Sequence, residues 1–112
     1  MIENYTFGRF VIDGEEYHSN VVLIGDKVEK ARYLPNHELS LNDFDALVEF
    51  KPDYLIIGTG ASGVMPVPSE ISKFIEDKGI KLIVEKTGDA CKKYNSLIKK
   101  GKKVAAFLHN TC

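Results

Sequence analysis

Three short apolar runs, Tyr54–Ile57, Lys81–Glu85 and Lys103–Leu108, are separated by two stretches with helical spacing of apolar residues. The spacing predicts a helix from Ser69, with Ile71, Phe74 and Ile75 on one face. It predicts another from Thr87, with Ala90, Cys91, Tyr94, Leu97 and Ile98 as its stripe, and both Ser69 and Thr87 read as helix caps. Gly79 and Gly101 supply the stops. An earlier helix is expected after Ser40, where Asp43 completes a capping box and Leu41, Phe44, Leu47 and Val48 share a face. From Leu41 onward the order is therefore helix, strand, helix, strand, helix, strand. Strands joined by helical crossovers run parallel, with right-handed connections. The pattern predicts an α/β domain with three helices and parallel C-terminal strands.

The first third of the chain has strand signals instead. Tyr5–Ile12 alternates, Asp13-Gly14 is a tight turn, and Tyr17–Ile24 resumes with the apolar run VVLI. This pair reads as an N-terminal β-hairpin. A weaker strand, Val28–Leu34, follows a Gly25-Asp26 turn and ends at Pro35 and Asn36. These strands either extend the parallel sheet, making it mixed, or cover part of it. At 112 residues the chain is expected to form one domain spanning 1–112. Roughly two-thirds of its extended surface can be buried at that size, enough for a core without staples.

Gly58, Gly60 and Gly63 match G-x-G-x-x-G, and the acidic Glu85 closes the next apolar run. The dinucleotide fingerprint needs its third glycine inside the first helical turn, so that helix N–H groups face the pyrophosphate. Pro66 and Pro68 hold Met65 and Val67 extended, so the helix begins only near Ser69. Dinucleotide binding is not expected. The glycines read as a turn with φ > 0 or close backbone approach, or as a loop whose N–H groups hold a small anion.

Ligands of parallel sheets bind outside the carboxyl ends of the strands. Three loops share that edge, and the candidate ligand-binding residues are Thr59, Gly60, Ser62, Glu85, Thr87 and His109. No catalytic set emerges, because Ser62 with His109 lacks an orienting carboxylate and the loop lacks a nucleophile elbow. His109-x-x-Cys112 has partial metal spacing, but His18 and His37 lie far away in sequence and two ligands do not make a zinc site. No metal and no cofactor are expected. Cys91 lies on the apolar stripe and reads as an inert core thiol, so two unpaired cysteines fit a reducing, cytoplasmic setting. A formal net charge of -1 gives no general attraction to nucleic acid. The basic run Lys99–Lys103 suits a helix C-terminus and lacks interleaved aromatics. No apolar run approaches the roughly 18 residues of a membrane span.

Several pieces carry a family resemblance: F-G-x-x-x-x-D-G-x-x-Y at Phe7–Tyr17, NHELSLNDF, the IIGTG loop with SG and VPSE, Tyr94-Asn95-x-Leu97, and the ending LHNTC. Together they resemble the small Mth-domain family. Its members include an adipogenesis-associated cytosolic protein and a mitochondrial assembly factor for respiratory complex I. The resemblance implies a three-layer α/β domain around a mixed sheet, with no set of catalytic residues to carry over. Relatives tend to have tryptophan near Phe7 and Tyr33, and this chain has none. The leading functional expectation is a non-enzymatic binding or assembly module whose partner is another protein, with self-association compatible. The alternative is a small-molecule or anion-binding enzyme using the Gly58–Ser62 loop.

Overall fold

A computed structural model describes residues Met1–Cys112. Eight strands and three helices follow in the order β1 (Ile2–Thr6), β2 (Arg9–Ile12), β3 (Glu15–Tyr17), β4 (Val21–Ile24), β5 (Lys27–Lys30), α1 (Asp45–Glu49), β6 (Tyr54–Gly58), α2 (Ser69–Glu76), β7 (Lys81–Glu85), α3 (Thr87–Lys99) and β8 (Val104–Leu108). The main sheet has the order β5-β4-β8-β6-β7. Its β6 runs parallel to both β7 and β8, as two helical crossovers require. β4 runs antiparallel to β8 and β5, so the sheet is mixed.

The layers follow from side-chain alternation. In β8, Val104, Ala106 and Leu108 face a cluster with Ala90, Cys91, Tyr94 and Leu97 of α3 and with Ile2, Phe10 and Ile12. Ala105 and Phe107 face the opposite cluster with Leu47, Ile71 and Ile75. The main sheet is thus the middle layer, with α3 and the small sheet on one side and α1 and α2 on the other. Each fully buried Ile, Leu or Phe contributes about 1.5–3 kcal/mol, more than a typical hydrogen bond, so these two clusters hold the fold. The Tyr94-Asn95 pair has a local reason. The Tyr94 hydroxyl donates to Gly25 O at 2.7 Å; Asn95 Oδ1 accepts the Ile2 N–H at 2.9 Å and Asn95 Nδ2 donates to Ile2 O at 2.7 Å.

The N-terminal strands differ from the sequence expectation in three ways. Tyr5–Ile12 is two strands, because Phe7-Gly8 turns the chain and Gly8 holds φ 80°. Tyr17–Ile24 also divides: β3 closes the small sheet through Phe10↔Tyr17, while β4 leaves for the main sheet. The third strand is shorter than Val28–Leu34 and ends at Lys30. The small sheet therefore covers the main one, and β4 and β5 extend it. The Ser40–Asp43 capping box is present, but the helix it opens begins with a 3-10 turn, Leu41–Phe44, before α1. No helix is long and apolar enough to cross a membrane.

Cys91 is 6% exposed, and burial pushes its thiol pKa up to about 12. A thiol kept neutral this far above the usual range reacts slowly, since the thiolate is the nucleophile. The expected result with a disulfide reagent at pH 8 is rapid modification of no thiol other than Cys112. Cys91 should react only after denaturation, and fast labelling of Cys91 in the native chain would show that α3 is misplaced.

Candidate functional site

The carboxyl ends of β6, β7 and β8 meet in one rim, built mainly from backbone. Thr59 donates to Glu85 O twice, from its N–H at 2.9 Å and its hydroxyl at 3.1 Å. The Gly60 N–H donates to the Thr87 hydroxyl at 2.8 Å, and the Thr87 N–H returns a bond to Gly60 O at 3.0 Å. The same hydroxyl donates to His109 O at 2.8 Å. Thr87 is fully buried. It is the first residue of α3 and not its cap; Lys86 occupies that position and makes no side-chain cap bond. Pro68 likewise precedes α2, with Ser69 already helical. Pro68 and Lys86 both hold the extended ψ, near 145°, of a residue that precedes a helix, and neither side chain offers a capping oxygen.

The glycine loop packs under the C-terminal tail. Ala61 N–H donates to Thr111 O at 3.2 Å, and Val64 N–H to Cys112 O at 3.3 Å. Gly60 has φ 105°, and a Cβ there would lie 2.4 Å from Thr111 O. Gly60 is therefore required both for its dihedral and for close backbone approach. Gly63 also holds φ 74°, and α2 starts at Ser69, as the two prolines predict. The N–H groups of Thr59, Gly60, Ala61, Gly63 and Val64 all donate within the chain. Ser62 is exposed at the loop tip, and Glu85, also exposed, joins the rim through its carbonyl.

His109 is the rim residue with the most chemistry. It is 3% exposed, and burial first, then the neighbouring His37, lowers its pKa from the ordinary value, so it is held neutral. Its Nε2 lies 2.9 Å from His37 Nδ1 and its Nδ1 lies 2.8 Å from Asn20 Oδ1. The Cys112 sulfur is 3.2 Å from His37 Nε2. The buried Asn20 donates from Nδ2 to Arg32 O at 3.0 Å and accepts the Asn110 N–H at 2.9 Å on Oδ1, which fixes its orientation. Oδ1 is thus an acceptor, so His109 carries its proton on Nδ1 and presents a lone pair at Nε2. His37 Nδ1 must then donate to His109, leaving His37 Nε2 to accept from the Cys112 thiol.

His37 reaches this place through a turn, Pro35–His37, in which Asn36 and His37 hold φ 54° and 57°. Consecutive non-glycine residues in the left-handed region are strained and need support. Arg32 supplies it with a bidentate pair to Asp43, Nε to Oδ1 at 2.6 Å and a terminal N–H to Oδ2 at 3.0 Å, closing the segment on both sides of the turn. Asn20 and His37 were not among the rim residues expected from sequence, because nothing in their local spacing joins positions 20 and 37 to the tail; Cys112 was placed at this edge only by its spacing from His109. The available signal was that NHELS and LHNTC both carried the resemblance. The two motifs meet here.

Geometry and topology together define a small three-layer mixed α/β domain with a closed carboxyl rim. The chain belongs to the family described as protein of unknown function (DUF498/DUF598), whose model matches residues 2–109. A conserved hypothetical protein from Pyrococcus horikoshii OT3 shares the fold with a TM-score of 0.88 and 28% identity, covering 100% of this chain and 99% of that one. The protein MT938 matches with a TM-score of 0.80 and 28% identity over 100% of this chain and 98% of its own. A Bordetella pertussis protein described as an Mth938-like domain has a TM-score of 0.76 at 14% identity, which speaks for the fold alone, with 98% of this chain and 85% of that one covered. A Francisella tularensis protein named "13 kDa major membrane protein" is 26% identical over 95% of this chain and 87% of its own length.

Two substitutions test the rim. Thr87→Val keeps the shape but orphans the buried Gly60 N–H and His109 C=O, at roughly 1–3 kcal/mol each. The expected loss is about 2–6 kcal/mol in chemical denaturation, whereas Thr87→Ser, which keeps the hydroxyl, should lose about 1 kcal/mol. Equal losses would show that the hydroxyl bonds are unimportant. Gly60→Ala adds strain of about 1–3 kcal/mol and pushes Thr111 away. It should therefore also raise the labelling rate of Cys112, and an unchanged rate would place the tail elsewhere.

Proposed function

We propose that this chain is a non-enzymatic binding module that docks a protein partner against the carboxyl rim. The observation that carries the reading is the position of its exposed apolar side chains. Phe7 is 66% exposed, Tyr33 82% and Val64 59%. Each stands on a segment tied to the tail. Gly8 N–H donates to Asn110 O at 2.7 Å, Val64 N–H donates to Cys112 O, and Tyr33 follows Arg32, whose carbonyl takes the amide of Asn20, itself the acceptor of the Asn110 N–H. Large apolar side chains held on rigid backbone are the anchors that dominate protein interfaces.

The largest concavity, an open cleft of about 610 Å³ beside Lys51, Pro52, Lys78 and Gly79, lies at the opposite end of the sheet. The loop N–H groups already donated within the chain give less support to the alternative reading, a small anion held by Gly58–Ser62. The resemblance to a family that includes an assembly factor leans toward docking. With Cys91 and Cys112 both free, the reading places the protein in a reducing cytoplasm.

A photo-crosslinking amino acid at position 33, installed in cells that make the protein, tests the surface. A discrete protein adduct is expected from position 33 and not from Lys102 at the other end. It should disappear with Phe7→Ser and Val64→Ser while the melting temperature holds. Identical adducts from both positions, or none from position 33, would defeat the reading.

A further inference from the structure

We propose that His37, His109 and Cys112 form a transition-metal site that takes Zn²⁺, separate from any use of the apolar rim. One donor atom from each of the three residues lies within 4.8 Å of the others. In a tetrahedral zinc site, with Zn–N about 2.0 Å and Zn–S about 2.3 Å, donors stand roughly 3.3–3.6 Å apart. His109 Nε2 lies 2.9 Å from His37 Nδ1 and the Cys112 sulfur 3.2 Å from His37 Nε2, so the two close contacts use opposite nitrogens of the His37 ring. An ion takes a single nitrogen from His37, so that ring turns to aim one nitrogen at the point between His109 Nε2 and the Cys112 sulfur.

The surroundings of the donors are those of a ligand set. Asn20 Oδ1 takes the His109 Nδ1 proton at 2.8 Å and so aims the Nε2 lone pair into the cluster. This is the outer-shell contact that orients metal-bound histidines. His37 is delivered by a turn with two left-handed residues, held by the bidentate Arg32–Asp43 pair. Two imidazoles and a thiolate suit Zn²⁺ and other thiophilic ions and do not suit Mg²⁺ or Ca²⁺, which take oxygen. Three protein ligands leave a fourth position for water. Binding is balanced by loss of the Cys112 thiol proton to solvent, while each imidazole keeps one N–H on the nitrogen that does not touch the ion.

The test uses the full chain, stripped with a chelator and titrated with Zn²⁺, and with Co²⁺ as the spectroscopic probe. The expected result is one ion per chain, a rise in melting temperature, and a sulfur-to-cobalt charge-transfer band in the near ultraviolet. Cys112→Ser should abolish the band, and His37→Ala should weaken Zn²⁺ binding at least tenfold. His18→Ala and Cys91→Ala, outside the cluster, should change neither. Absence of the band from the unaltered chain overturns the proposal irrespective of how the variants fold. So does a band that persists in Cys112→Ser, or a stoichiometry well below one.

Discussion

The hydroxyl of Thr87 joins parts of the chain that sequence keeps far apart. It accepts from Gly60 at the end of β6, donates to His109 at the end of β8, and sits on the residue that starts α3 after β7. Three parallel strands end in backbone groups that no fourth strand satisfies, and at this edge they are buried. A buried unpaired N–H or C=O is costly, so something must cap the three ends together. One fully buried hydroxyl with a donor and two lone pairs does so in little volume. Gly58 has no side chain for the same reason, since a Cβ there would meet that hydroxyl at 2.9 Å.

Much of this was legible in the chain. The crossover pattern after Leu41 specified three parallel strands, and Pro66 and Pro68 specified where α2 starts. The N-terminal strands were legible only as strand-like segments. Alternation continues through Phe7-Gly8 and through His18–Asn20, so pattern alone does not show that the chain turns at one and changes sheets at the other. Thr87 reads locally as a cap because a threonine before an apolar stripe usually is one; its partners are 27 and 22 positions away. The site was half visible. His109 belonged to the rim by topology, whereas His37 and Asn20 arrive through the antiparallel β4 and the turn after β5. Their placement depends on a pairing that no local spacing encodes.

Two kinds of surface thus share one end of the molecule. The tail is held by backbone bonds to the glycine loop and the β1–β2 turn, and its His109 and Cys112 side chains are engaged with His37. Exposed Phe7 and Val64 stand on the segments that hold it and are not needed for the core. The opposite end is rich in lysine, with Lys103 lying 4.5 Å over the Phe50 ring and Lys81 5.6 Å over Tyr54. Those cations are accommodated by local aromatic faces, which sets a polar, basic end against an apolar, thiol-bearing one.

The position of β8 between β4 and β6 has a consequence for how the chain comes to be folded. Without β8 the main sheet falls into two pieces, β5-β4 and β6-β7, that no other strand joins. Each half presents an open edge and an uncovered apolar face until Val104–Leu108 is made. Non-local strand pairing of this kind is slow and leaves edges exposed to other chains. Closing the domain therefore requires its most buried strand to sit between β4 and β6.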